Sequence, residues 1–141
     1  MHCLIKLLGF FCLCSSFLWG QSLELEANDL LRFRPTEFSV NTGEKVTLLF
    51  RNTGKIASLK HQFILLKPNV DIDQFGNELM GLGKDEPLPA KLKEQTIVVS
   101  QRLGPGTQTL VTFSIREPGN YVFICGFPGH HSVSKGRVTA K

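Results

Sequence analysis

Residues 109–125 read TLVTFSIREPGNYVFIC, and this stretch decides the fold. In an extended chain successive side chains point to opposite faces. Val111, Phe113 and Ile115 therefore share one face, with Thr112 and Ser114 on the other. Pro118-Gly119-Asn120 follows, three residues suited to turn backbone angles. Residues 121–125 are a second run, rich in aromatic and β-branched side chains that fit a pleated surface. Strand, turn and strand in this form are the unit of an antiparallel β protein.

Working outward, the same alternation of short strand and turn recurs. Residues 96–100 (TIVVS) precede the turn Gly104-Pro105-Gly106. Residues 46–50 (VTLLF) form a strand ended by residues 51–54, and 38–40 lead into a turn at 41–44. A first strand is expected over residues 30–33, an apolar stretch over 61–66 is stopped by Lys67-Pro68, and residues 135–141 supply the last strand. Residues 69–93 differ, with acids, glycines and prolines among isolated apolar positions. A short helix over 72–82 followed by irregular chain is expected there, as an excursion outside the strands. Seven or so short strands at this spacing predict an all-β, Greek-key antiparallel β-sandwich with a helical or irregular insertion around 69–93.

The 141 residues leave room for one domain. Residues 1–20 are set aside as a signal peptide: a short start carrying Lys6, an uncharged apolar run over 7–19, then small residues at Gly20-Gln21-Ser22. The domain is then 21–141, in a periplasmic or secreted setting, with no stable membrane insertion once the leader is removed. The whole chain carries 16 basic and 12 acidic residues, and the leader removes one basic residue, so the mature charge is +3. These charges are scattered without a basic run, so nucleic-acid binding is not expected.

Leader removal also takes Cys3, Cys12 and Cys14, leaving Cys125 alone. In an oxidising compartment cysteines usually pair. A lone thiol there is either a metal ligand or an inert buried residue. Three of the four mature His and Cys residues crowd into CGFPGHH, residues 125–131, and the fourth is His61 on a separate strand. Gly126, Pro128 and Gly129 make a tight loop that turns the Cys125 thiolate and the His130 imidazole towards one point. Two imidazoles and one thiolate are the equatorial set of a blue-copper electron-transfer site, because soft sulfur suits Cu(I) and imidazole accepts both oxidation states. Two enzyme readings compete. One is a zinc site with an open position, but residues 125–134 contain no carboxylate to act as general base. The other is a histidine-activated cysteine nucleophile, for which no oxyanion motif is evident. No enzyme activity is expected. Asp71, Asp73 and Glu78 are read as solvated acids rather than a hard-ion site.

These residues carry a family resemblance. The segment 125–130 followed by Lys135-Gly136 resembles the ligand loop of azurin-like cupredoxins, the type 1 blue-copper family. Residues 50–52 and 61–63 resemble the strand bearing its first histidine, and 118–121 its turn before the cysteine. The resemblance implies one copper ion cycling Cu(I)/Cu(II), with His61, Cys125 and His130 as equatorial ligands. It places Gln62 where the family has an asparagine ordering the loop around the sulfur. Phe127 and Pro128, with Met80, are expected to line an apolar rim at His130, the electron exit; His131 is expected at the surface. The family's axial methionine falls at Ser134, so a thioether is missing, and the Lys60 carbonyl is the other axial candidate. The function implied is one-electron transport between transient partners such as a cytochrome or a copper oxidase or reductase, by a monomer. The alternatives are a copper delivery or storage protein, and a cupredoxin that has kept the fold without redox cycling.

Overall fold

The computed structural model describes residues 20–141; apart from Gly20, the leader reading lies outside the described residues. In chain order the elements are β1 (Gln21–Ala27), β2 (Phe33–Arg34), β3 (Glu37–Val40), β4 (Val46–Asn52), β5 (Phe63–Leu66), α1 (Ile72–Met80), α2 (Ala90–Lys93), β6 (Thr96–Val99), β7 (Gln108–Phe113), β8 (Gly119–Cys125) and β9 (Lys135–Ala140). They build two sheets, ordered β2-β1-β4-β7 and β3-β9-β8-β5-β6. The sandwich predicted from sequence is thus present, with one refinement. Two pairings, β1 with β4 and β3 with β9, are parallel; the others are antiparallel.

The N-terminal edge also differs from expectation. The first strand is β1, where Leu25 and Ala27 point inward and Glu24 and Glu26 outward. Residues 30–33 are mostly turn, because the Asn28 side-chain oxygen accepts from the backbone N–H of Leu30 (3.0 Å) and Arg32 (3.3 Å). That side chain offers the backbone a local alternative to a sheet ladder. Only Phe33–Arg34 remains as strand.

Between the sheets lies a core of buried apolar residues that includes Leu25, Phe33, Phe50, Phe63, Phe113 and Phe123. A second cluster forms on the outer face of the five-stranded sheet, where Phe75 and Leu79 of α1, Leu88 and Leu92 cover Ile64, Leu66 and Ile124. This covering explains why β5 is buried at all four positions instead of alternating: both faces of the sheet are packed. The helix starts where Asp71 accepts from the Gln74 N–H at 2.9 Å, a side-chain N-cap. Glu78 pairs with Lys91 at 3.2 Å. Asp71 and Glu78 therefore hold local structure.

Candidate metal centre

Cys125 is the last residue of β8, paired opposite Phe63 of β5. Its N–H donates to the Ser134 carbonyl at 2.8 Å, which closes the loop 126–134 at its base. Within that loop the N–H groups of Val133 and Ser134 donate to the His130 carbonyl, at 3.1 and 2.8 Å. Gly129 has φ +84°, a backbone conformation that glycine adopts without a side-chain clash. Gly126 has no room for a Cβ, since Gln62 Oε1 would lie 2.6 Å away. His61 is reached from the other side. It forms an isolated bridge with Leu103, donating at 3.0 Å and accepting at 2.7 Å.

The fold brings the three predicted donors together. The candidate ligand atoms of His61, Cys125 and His130 all lie within 4.8 Å of one another. Cys125 Sγ is 3.7 Å from Nδ1 of each histidine. The imidazole rings are 5.2 Å apart, centre to centre. Among the described residues this is the one such cluster of His, Cys, Asp or Glu, and it contains no carboxylate. His61 and Cys125 are fully buried and His130 is 5% exposed, so of the three only His130 retains any exposure to solvent. A buried thiol between two imidazole nitrogens fits a soft, nitrogen-accepting metal ion better than a hard one.

Burial sets the proton chemistry of the three. Loss of water pushes the Cys125 thiol up to about 11, opposed by the backbone N–H groups of Gln62 and Phe127. Burial lowers His130 to about 4, helped by the neighbouring His61. His61 is lowered for the same reason; the Asn28 backbone and Asp29 oppose the shift, although His61 Nε2 makes no hydrogen bond of good geometry. In the metal-free protein a pH dependence follows by linkage. Between 6.5 and about 4 the unfolded chain takes up histidine protons that the folded state refuses, so stability falls as pH drops through that window. Between 9.0 and about 11 the unfolded chain releases a Cys125 proton that the folded state keeps, so stability falls as pH rises. The metal-free domain is expected to melt highest between the two windows, and a Cys125→Ala variant is expected to lose the alkaline limb. An alkaline limb unchanged in that variant would contradict the assignment to Cys125.

Other sequence-predicted residues are placed as follows. The Gln62 N–H donates to Cys125 Sγ at 3.5 Å, its carbonyl accepts from Gly126, and its amide donates to the Ser100 carbonyl at 2.9 Å. Phe127 is buried in the main core, its ring 4.8 Å from that of His130. Pro128 is partly exposed beside it. Ser134 is buried, and its hydroxyl donates to the Leu31 carbonyl. The Lys60 ammonium pairs with Asp85 at 2.6 Å. Met80 stands 60% exposed at the end of α1. The surface position expected for His131 is corrected: it is 8% exposed and lies under α1, against Gly76, where a Cβ would collide with the imidazole.

Two residues near the centre were missed by the sequence reading. Asn52 donates to the Leu59 carbonyl (3.2 Å) and the Leu103 carbonyl (3.0 Å) and accepts from the Gly54 N–H (2.9 Å). It thereby ties the chain before His61 to Leu103, the residue that His61 bridges. Arg102 donates through Nε to Gln62 Oε1 at 3.4 Å and lies over the Phe127 ring at 6.0 Å. A polar residue at a strand end and a lone cation after a strand carry no periodic signal that would single them out.

Comparison with known proteins agrees with this geometry. Residues 20–141 match the family described as copper binding proteins, plastocyanin/azurin family. Auracyanin-A of Chloroflexus aurantiacus is 31% identical over 111 residues, covering 77% of this chain and 66% of the relative. Azurin of Alcaligenes faecalis is 28% identical over 122 residues, covering 82% and 94%. Among solved structures, reduced auracyanin from Roseiflexus castenholzii superposes with a TM-score of 0.77 at 30% identity, covering 86% of this chain and 98% of that one. Donor chemistry and family agree on copper as the metal, one ion at the His61, Cys125 and His130 cluster. The chain is a cupredoxin, and it belongs to the plastocyanin/azurin family of copper-binding proteins.

Proposed function

We propose that this protein is an exported one-electron carrier with a type 1 copper centre, in which His61 Nδ1, Cys125 Sγ and His130 Nδ1 hold the ion. The observation that carries the reading is the convergence of these three buried donors with no carboxylate among them. Copper supplies the one-electron couple. The chain supplies the rest: the Gln62 N–H orients Sγ, the Leu103 bridge fixes His61, and the core around Phe127 excludes water. We assign a bound ion a weak or vacant fourth contact: Ser134 stands where the family has its methionine, its hydroxyl is committed to the Leu31 carbonyl, and the Lys60 carbonyl would be the other candidate. His130, beside Phe127 and Pro128, is the electron exit towards transient redox-protein partners. Cleavage near residue 20 releases a periplasmic or secreted monomer.

A carrier differs from a delivery or storage protein in that it must cycle. Cu(II) added to the mature domain is expected to bind one ion per chain and give an intense visible thiolate-to-copper band. One electron per copper should bleach it, and an oxidant should restore it. A protein that binds copper and takes up no electron reversibly would favour delivery or storage.

A further inference from the structure

Arg102 lies beside the centre and holds nothing in it directly. Its Nη1 donates to the Lys84 carbonyl and, at 3.5 Å, to that of Gly83, while Nε reaches Gln62 Oε1. Nη2 is buried without a hydrogen-bond partner. Among the described residues no carboxylate forms an ion pair with this guanidinium. Asp85 is held below the usual carboxylate range by its hydrogen bond to Lys60, with Arg102 contributing less.

The two side chains Arg102 touches both adjoin the centre. Gln62 follows His61 and donates its N–H to Cys125 Sγ; the Phe127 ring contacts that of His130. A guanidinium keeps its charge at any working pH. Partly removed from water, that charge acts through a lower effective dielectric than at the surface.

We propose that Arg102 is a tuning residue, whose fixed positive charge raises the reduction potential of the copper centre through its seat on Gln62 and Phe127. The inference rests on the type 1 reading above. The step is Cu(II) plus one electron from the redox partner giving Cu(I), with no proton moved. Reduction removes one positive charge from the site, so a neighbouring cation favours the reduced state.

The test is a redox titration of the copper-loaded mature domain, with melting of the metal-free variants as a control for folding. Arg102→Met is expected to lower the potential by about 59 mV, a tenfold shift of a one-electron equilibrium, with the visible band retained. Arg102→Lys keeps the charge without the planar fork, and its potential is expected nearer the wild-type value than the methionine value. Should the methionine variant fail to fold, Arg102→Gln, whose amide nitrogen stands at the Nε position and keeps a donor for Gln62 Oε1, is expected to show the same fall. An unchanged potential in a folded neutral variant overturns the inference alone. So does a lysine variant as low as the neutral one, because hydrogen bonding and not charge would then set the potential. A wild type without the band overturns the type 1 reading, and this inference with it.

Discussion

Replacing Phe123 by alanine is expected to destabilise the domain by about 3–5 kcal/mol, the usual cost of deleting a fully buried aromatic. The side chain is 0% exposed and lies at the middle of the aromatic core. Its ring centre is 5.6 Å from that of Phe33, 5.8 Å from Phe38 and 5.5 Å from Phe63. Gly136 on the adjacent strand has no side chain because the Phe123 ring and the Thr36 carbonyl fill that space. Truncation therefore opens a void bordered by backbone, and backbone in two hydrogen-bonded strands collapses poorly into it. Denaturant unfolding of the metal-free domain checks this: the midpoint should fall with the slope unchanged. A loss below about 1 kcal/mol would show that the core repacks and that the ring does not organise it.

Asn52→Ala is expected to cost about 2–4 kcal/mol, as buried partners lose their hydrogen bonds. Asn52 is 1% exposed. Its side chain serves the Leu59 carbonyl, the Leu103 carbonyl and the Gly54 N–H, and alanine replaces none of these contacts. Leu103 keeps its bond from the His61 N–H, so the larger share of the loss falls on Gly54 and Leu59. Both belong to the chain that delivers His61, and copper affinity should fall by about 10–100-fold, as when other groups that orient metal ligands are removed. Competition with a chelator would measure this. A variant that is destabilised but binds copper as tightly as the wild type would separate the Asn52 contacts from the positioning of His61.

The fold was legible wherever alternation or turn chemistry was local. The runs around Val46, Val111 and Tyr121 became β4, β7 and β8, and the excursion at 69–93 became α1, α2 and connecting chain. What escaped depends on distant partners. The alternation of Leu23, Leu25 and Ala27 was present in sequence, but it adjoins the stretch read as a leader, and Asn28 diverts the following residues into a turn. The parallel pairing of β1 with β4 follows from the sandwich as a whole and leaves no local mark. At the site, Cys125 and His130 could be found because one loop holds both, with two glycines and a proline between them. His131 could not be placed, since its burial comes from α1 arriving over Gly76, more than fifty residues upstream in the chain. Arg102 lay hidden for the same reason: its contacts with Gln62, Phe127 and Lys84 are all long-range.

The proposed copper–thiolate bond at Cys125 underlies the functional reading, and one comparison tests it most directly. Titrate Cu(II) into the wild-type mature domain and into Cys125→Ser, and follow visible absorbance while circular dichroism reports the fold. The expected result is an intense band in the wild type that saturates at one copper per chain, and a folded serine variant with no such band. A colourless wild type, or a band that survives in the serine variant, would contradict the assignment of Cys125 as the copper ligand.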